Sequence, residues 1–374
     1  MQLRHEKSIF RQVWRCGVRL LIALFLLSLF QGTTPSGKPV LAGGSTCSSN
    51  LNFGQTIHCA IDLAGETDSF TFSGSAGDRI RVRVVETSGS LAAFQEIIQP
   101  GGTSLCSTIV TEITCLLESN GNHTLLINDF GGTDNGNYSL YLQRLNNPVG
   151  CSTIAFGALP STGNLTEAAV TDCFTFQLST GDQVRGRAVE TAGTAAAYQE
   201  IIQPDGTTLC GTIVTELTCQ ATVTGLHTIL INDFGGTDTG TYSFYLQRLN
   251  NPVGCSSIGY SGLPVTGSID VPAETDCYTF SGMVGNQIRV RAIKTSGSVA
   301  PYKAVIRPDG VSLCGTIVSE VTCLLDSDGN YTILINDFGG TDTGTYQLTL
   351  VCLTQPCGTP FSNFNYLPFV LRQD

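Results

Sequence analysis

The eight-residue stretch INDFGGTD occurs three times in this chain, beginning at Ile127, Ile231 and Ile335. The copies lie 104 residues apart, and the same spacing relates three cysteines, Cys47, Cys151 and Cys255. A period this long marks tandem copies of a whole domain, because short structural repeats have periods of about 20 to 50 residues. We therefore predict three domains, at residues 47–150, 151–254 and 255–357, with a tail at residues 358–374.

The periodicity within each unit is that of β-strands. Apolar and polar residues alternate with a period of two, as in Phe174-Thr175-Phe176 and in Tyr242-Ser243-Phe244. Turn signals rich in Gly, Asp and Pro separate these runs, and no segment keeps a helical period. The sequence predicts an all-β protein of three tandem antiparallel β-sandwiches, jelly-roll or Greek-key-like, with seven or eight strands each.

The first 42 residues resemble a secretory signal peptide. Five basic residues precede an apolar run of 11 residues, LLIALFLLSLF, and small residues follow at Val40-Leu41-Ala42. The apolar run is too short to span a bilayer, which takes about 20 residues. We expect cleavage before Gly43, a secreted or cell-surface protein, and no membrane span after cleavage. An uncleaved membrane anchor is the alternative.

The charge of the predicted mature chain excludes one class of partner. The whole chain has a net charge of −11, and removal of residues 1–42 leaves 13 basic against 29 acidic residues. A surface this acidic repels phosphate backbones and anionic lipids. We therefore expect no binding to nucleic acid.

The cysteines indicate an oxidising compartment. Of the 15 cysteines, Cys16 lies in the predicted signal and an even number remains, with no C-x-x-C pair. This pattern favours disulfides over zinc. Cys59 and Ser69 lie ten residues apart around a predicted turn, and the other repeats have their cysteine at the position of Ser69, so either position can reach the first cysteine of the unit. The predicted pairs are Cys47–Cys59, Cys106–Cys115, Cys151–Cys173, Cys210–Cys219, Cys255–Cys277, Cys314–Cys323 and Cys352–Cys357, and other connectivities stay open.

Each unit resembles the bacterial pre-peptidase C-terminal domain. The motifs that carry the resemblance are TDSFTF, TDCFTF and TDCYTF, then GDRIRVRV and its counterparts, QPGGTSL and its counterparts, and the final D-x-G-x-Y. The resemblance implies a secreted β-sandwich that accompanies peptidases or surface proteins. The cysteines are not part of the family pattern, and no peptidase domain precedes the repeats in this sequence.

The repeated stretch carries the most chemical-looking side chains. It provides two carboxylates five residues apart on a Gly-rich turn, and such hard oxygens can bind Ca²⁺. Some members of the resembled family bind calcium through acidic loops. The structural alternative is that Asp and Asn bond local backbone groups while Gly supplies positive φ. The candidate ligands are Asp129, Asp134, Asp233, Asp238, Asp337 and Asp342. Ca²⁺ is the one cofactor that the sequence suggests, and we do not expect the protein to require it.

Three further sets of residues recur at the same spacing. The first precedes a Phe/Tyr-Thr-Phe strand and is a candidate set of turn caps or of extra calcium ligands. The second is a pair of arginines predicted to form a basic stripe that balances acidic neighbours or receives an acidic polymer. The third is an aromatic position, predicted to pack in the core or to form a platform for sugars or peptides. The sets are Asp68, Asp172 and Asp276; Arg81/Arg83, Arg185/Arg187 and Arg289/Arg291; and Phe94, Tyr198 and Tyr302.

Catalytic signatures are weak. The chain has no G-x-S-x-G, H-E-x-x-H or phosphate-loop motif, and His123 and His227 are replaced by Tyr331 in the third unit. Glu96 and Glu200 correspond to Ala304, which weakens a carboxylate pair shared by all units.

We expect a protein that is not an enzyme and that engages an extracellular polymer or protein. A secreted hydrolase or the accessory region of a secreted peptidase is the alternative, and a purely architectural spacer is a third.

Overall fold

The computed structural model describes residues 47–354 and 356–357, and these residues form strands, turns and bends with no helix. The predicted all-β class is therefore confirmed. The described part of the chain also contains no helix able to cross a membrane. The predicted signal peptide at residues 1–42 and the tail at residues 358–374 lie outside the described residues.

The first repeat contains eight strands, β1 (Gln55–Ile61), β2 (Thr67–Gly74), β3 (Arg79–Gly89), β4 (Ala93–Ile98), β5 (Ser104–Thr108), β6 (Glu112–Leu116), β7 (Gly121–Asp129) and β8 (Gly136–Arg144). The second repeat adds a two-residue strand before its eight, and it comprises β9 (Ser152–Thr153), β10 (Ser161–Leu165), β11 (Thr171–Leu178), β12 (Gln183–Gly193), β13 (Ala197–Ile202), β14 (Thr208–Thr212), β15 (Glu216–Gln220), β16 (Gly225–Asp233) and β17 (Gly240–Arg248). The third repeat has the same pattern in β18 (Ser256–Ser257), β19 (Val265–Ile269), β20 (Thr275–Gly282), β21 (Gln287–Lys294), β22 (Pro301–Ile306), β23 (Ser312–Thr316), β24 (Glu320–Leu324), β25 (Gly329–Asp337) and β26 (Gly344–Cys352).

The strands of each repeat form two antiparallel sheets in jelly-roll order. In the first repeat the orders are β1-β8-β3-β6 and β2-β7-β4-β5, so consecutive strands alternate between sheets before and after the hairpin β4-β5. This order is that of a double Greek key with eight strands. We call the sheet that contains β2, β11 or β20 the leading sheet of its repeat, and the sheet that contains β1, β10 or β19 the trailing sheet.

Each repeat encloses its own hydrophobic core between its two sheets. In the first repeat, Phe70 and Leu125 of the leading sheet meet Val82 and Leu140 of the trailing sheet. Equivalent clusters fill the second and third repeats. The inward residues are those predicted by the period-two alternation, because successive strand residues point to opposite faces.

Seven disulfides join the same pairs of cysteines that the sequence predicts. The strands that carry them differ from the predicted ones in two respects, because the short spacings predict one hairpin between Cys106 and Cys115 and another between Cys59 and Ser69. Cys106 lies on β5 of the leading sheet and Cys115 on β6 of the trailing sheet, so this bridge crosses the sandwich rather than stapling one hairpin. Similarly, β1 and β2 lie in different sheets, so the predicted hairpin around Ala64 is absent there.

A tyrosine of the last strand closes each sandwich. The hydroxyl of Tyr138 donates to the carboxylate of Asp68 at 2.5 Å, and that of Tyr242 donates to Asp172 at 2.6 Å. Tyr346 donates to Asp276 in the same way. In each repeat the acceptor is a side chain of the leading sheet. Burial raises the pKa of all three carboxyls, that of Asp276 to about 6.

Candidate functional site

The loops formed by the repeated stretch are organised by their first aspartate. In the first repeat, one carboxylate oxygen of Asp129 accepts the N–H of Ala92 at 3.0 Å, and the other accepts those of Thr133 and Asp134 at 3.0 and 3.2 Å. Asp233 and Asp337 accept equivalent N–H groups. The second aspartate caps a neighbouring turn, since Asp134 accepts the hydroxyl of Ser90 at 3.1 Å. These contacts are the backbone bonds that the structural interpretation of the stretch predicted.

The first aspartates of the first two loops differ in electrostatics although their sequences match. At Asp129, burial opposes ionisation, but the backbone N–H donors outweigh it and hold the pKa below its ordinary value. At Asp233, burial raises the pKa. The difference arises because the second loop packs beneath the first repeat, whereas the first loop has no such cover in the described residues.

The predicted calcium ligands do not converge on one point. The lone pairs of Asp129 are engaged by N–H groups of its own loop. Over residues 47–354 and 356–357, no group of three or more His, Cys, Asp or Glu side chains is arranged to hold a metal ion. Calcium binding by Asp129, Asp134, Asp233, Asp238, Asp337 and Asp342 stays a prediction.

An aromatic pair stands beside each loop. The residue that follows the first aspartate of the loop is a phenylalanine, and its ring lies 6.0 to 6.3 Å from the predicted platform residue on β4, β13 or β22. The phenylalanines are exposed, by 57%, 40% and 56% in chain order. The three aromatic pairs are Phe94/Phe130, Tyr198/Phe234 and Tyr302/Phe338. The platform residues are half-buried, and Tyr302 packs at the edge of the hydrophobic cluster that contains Leu249 and Leu334.

The loops of the second and third repeats also form the joints between repeats. Arg83, on the trailing sheet of the first repeat, donates to the backbone carbonyl of Asp233 at 2.5 Å and to the side chain of Asn232 at 3.0 Å. Arg187 donates to the carbonyl of Asp337 at 2.6 Å. The outer face of each trailing sheet thus packs on the outer face of the next leading sheet.

The ion pairs of the two joints differ. Arg81 makes a two-pronged ion pair with Glu200 of the second repeat and also bonds Glu112 of its own repeat at 3.1 Å. In the second joint Ala304 replaces Glu200, and Arg185 pairs with Glu216 of its own repeat at 3.7 Å and donates to Thr218 at 3.3 Å. The predicted basic stripe therefore meets acidic and carbonyl oxygens in both joints, as the balancing interpretation expected.

Apolar contacts complete the joints. Leu145 packs against Ile202 and Leu230 of the second repeat, and Leu249 packs equivalently against the third. Val85 and Tyr141 cover Ala169, which has a φ of 64°. The left-handed conformation is costly for any residue with a Cβ. The buried methyl offsets that strain, and in the uncovered first repeat the position is glycine, Gly65.

A glycine in the loop sets how closely the repeats approach. A Cβ on Gly236 would lie 2.8 Å from a methyl group of Val85, and one on Gly340 would lie equally close to Val189. A Cβ on Gly132, in the first loop, would meet nothing within 4 Å. The same glycine is therefore a contact point in two repeats and lies in open space in the first.

The other buried ionisable groups have structural partners. Burial lowers the pKa of Lys303 to about 8, and its ammonium donates to the carbonyls of Pro301 and Thr316 at 3.3 and 3.4 Å. Burial also lowers the pKa of His123 and His227, whose rings stack on Phe72 and Phe176. The described contacts of these groups stabilise the sandwich.

A groove of about 520 Å³ lies at the junction of the first two repeats. His58, which occurs in the first repeat only, lines it, and its imidazole lies 2.9 Å from the carboxylate of Glu167 in the second repeat. Ser139 contacts the other ring nitrogen at 2.9 Å. This contact crosses the joint, so the groove belongs to the packing of repeats.

Comparisons with known proteins give no family. No family model matches the chain, and no curated protein matches it. Among solved structures, the CUB1-EGF-CUB2 domain of human MASP-1/3 aligns at 10% identity over 50% of this chain and 99% of its own, with a TM-score of 0.16. A triple-jelly-roll turret protein of an archaeal virus aligns at 10% identity over 77% and 82%, with a TM-score of 0.16. The BSP domain of a biofilm-associated protein aligns at 8% identity over 83% and 84%, with a TM-score of 0.18. Scores this low carry no functional inference.

Sequence reasoning found one half of each aromatic pair and missed the other. Phe94, Tyr198 and Tyr302 were identified by their spacing, but the phenylalanine inside the repeated stretch was passed over. A large apolar residue between Asp and Gly-Gly in a turn is a detectable signal, since turns favour small and polar residues.

Proposed function

We propose that this protein is a secreted, non-catalytic binding module that holds an extracellular polymer or protein through its three aromatic pairs. The observation that supports the proposal is the exposure of Phe130, Phe234 and Phe338 beside a second ring. Burial of exposed aromatic surface contributes strongly to interfaces. The seven disulfides fit an oxidising, extracellular environment. The resemblance to the pre-peptidase C-terminal domain is part of the same proposal.

The repetition of the pairs favours a repetitive target. Each pair is small, so we expect one pair alone to bind weakly. Joined in one array, three weak sites gain affinity by factors of about 10² to 10⁴ when the target can engage them together. A polysaccharide, peptidoglycan or fibrous protein presents such a repeated surface.

Co-sedimentation with insoluble polymers tests the proposal. The probes are chitin, cellulose, peptidoglycan and collagen, each with calcium and with EDTA. The test variant replaces Phe130, Phe234 and Phe338 by Ser. The control variant replaces three exposed valines that share the same 104-residue spacing outside the aromatic pairs, Val110, Val214 and Val318.

We expect saturable retention on at least one polymer, lost in the phenylalanine variant and kept in the valine variant. Equal loss of retention in both variants would contradict a specific role of the pairs. If the natural chain and the control both fail to bind every polymer, the binding function is contradicted. Release of soluble fragments from the polymer would instead support a hydrolase. Retention that is lost in EDTA would assign calcium to the aspartate loops.

A further inference from the structure

The two ends of the stack present the two halves of a joint. In the first repeat, the outward residues of the leading sheet are half-buried, whereas their counterparts in the other repeats are buried. Leu126 is half-buried, but Leu230 and Leu334 are at most 1% exposed. We call this surface the leading end, formed by Glu96, Ile98, Leu126, Asn128 and Gly132.

The third repeat shows the converse. Leu353 is 44% exposed, whereas Leu145 and Leu249, at the same position in the other repeats, are 2% and 1% exposed. Arg291 is exposed, whereas Arg83 and Arg187 are buried in joints. We call this surface the trailing end, formed by Arg289, Arg291, Ile293 and Leu353.

We propose that the trailing end of one copy of this chain binds the leading end of a second copy, extending the stack of jelly rolls from copy to copy. The geometry required already occurs twice within the chain. The contact is heterologous, because two different surfaces meet, and its translation along the stack leaves one end of each kind open. The product is therefore a head-to-tail chain of variable length.

Charge and shape are complementary across this contact. Arg289 and Glu96 occupy the positions equivalent to Arg81 and Glu200, which pair in the first joint. Arg289 therefore faces Glu96 of the second copy. The joint between copies thus has the acid that the second internal joint lacks. By the same rule, Arg291 reaches the carbonyl of Asp129.

The apolar part of the contact follows the same correspondence. Leu353 meets Ile98 and Leu126, as Leu145 meets Ile202 and Leu230. The open space at Gly132 receives Ile293, at the position where Val85 approaches Gly236.

Two positions make the contact between copies weaker than the internal joints, and one of them is Gly65, which stands where Ala169 and Ala273 pack in those joints. Tyr141 and Tyr245 pack in the internal joints, and Thr349 replaces them in the third repeat, with less apolar surface to bury. The internal joints also form between tethered partners, whereas two copies must meet by diffusion. Assembly is accordingly reversible and depends on protein concentration.

Sedimentation velocity of the full chain over a concentration series tests the proposal. The variants are Glu96→Arg, at the leading end, and Arg289→Glu, at the trailing end. The control is Glu118→Arg, which makes the same charge change at an exposed residue outside both ends. Two further samples are an equimolar mixture of the first two variants and a natural chain shortened to end at residue 357.

We expect a ladder of species that grows with concentration in the natural chain and in the control. Each end variant raises the dissociation constant about tenfold or more, because like charges then face each other. The mixture restores assembly, since every contact between unlike copies again pairs an acid with an arginine. Unchanged melting curves show that the variants are folded.

Three results would overturn the proposal. One is a monomer at every concentration. Another is a closed dimer that neither charge reversal affects. The third is assembly that appears only in a variant ending at residue 357, since the tail of the same chain would then be the occupant of the trailing end.

Discussion

The joints between repeats predict a sharp difference among three equivalent leucines. Leu145 is 2% exposed and packs against Ile202 and Leu230 of the next repeat, and both of these are fully buried. Truncation of a buried leucine to alanine costs about 2 to 5 kcal/mol, from lost transfer energy and from the cavity that remains. Leu145→Ala should therefore remove a large part of the total stability of a domain, which is about 5 to 15 kcal/mol. Leu353→Ala, at the same position but exposed, should change it by about 0.5 kcal/mol or less.

Urea unfolding at low protein concentration, where copies remain separate, measures both variants against the natural chain. We expect a much lower midpoint for Leu145→Ala and an unchanged midpoint for Leu353→Ala. Leu249→Ala should resemble Leu145→Ala, because Leu249 is equally buried in the second joint. Equal losses of stability in Leu145→Ala and Leu353→Ala would show that the first repeat does not pack on the second through Leu145, since burial against a following repeat is the difference between the two leucines.

Two further predictions concern carboxylates. Burial raises the pKa of Asp276 to about 6, so the folded state binds this proton more tightly than the unfolded state does. The stability that this proton contributes is complete below about pH 4 and is lost as the pH rises through 6, by about 3 kcal/mol at most. Asp276→Asn should therefore flatten the dependence of the unfolding free energy on pH between these two values. An unchanged slope in the variant would count against this assignment. Asp129→Asn should lower stability by about 1 to 3 kcal/mol in EDTA as well as in calcium, because the single amide oxygen cannot accept the N–H of Ala92 on one side and those of Thr133 and Asp134 on the other. A loss confined to calcium-containing buffer would make this loop a calcium site.

The fold could be predicted from the sequence because its determinants are local and repeated. The alternation of residues such as Phe174-Thr175-Phe176 predicts which side chains face the core, and the glycine-rich turns predict where strands end. The disulfide pairs were also predicted, but through a hairpin between Cys59 and Ser69 that does not exist. In the jelly roll, Cys47 lies beside the leading sheet, near the bridge of Asn50 to Thr71, and is joined to β1 of the trailing sheet.

The joints could not be predicted, because they depend on the placement of whole domains. Arg83 and Asn232 lie 149 residues apart, and no local pattern connects them. The run TILIND in β16 is apolar enough to indicate burial on both faces, but the nearly identical TLLIND of β7 is buried on one face only. Only the position in the stack distinguishes these two strands. The exposed phenylalanine of each loop could not be predicted as one half of an aromatic pair, because its partner lies on a strand more than 30 residues earlier in the chain.

Hydroxyl-radical footprinting of the equivalent leucines tests most directly whether the repeats stack through these joints. Reactivity per leucine side chain is comparable, so labelling at low protein concentration reports exposure alone. We expect labelling of Leu353 and Leu126, and protection of Leu145, Leu249, Leu230 and Leu334. Equal labelling of Leu145, Leu249 and Leu353 would show that the jelly rolls do not pack on one another, and would contradict the account.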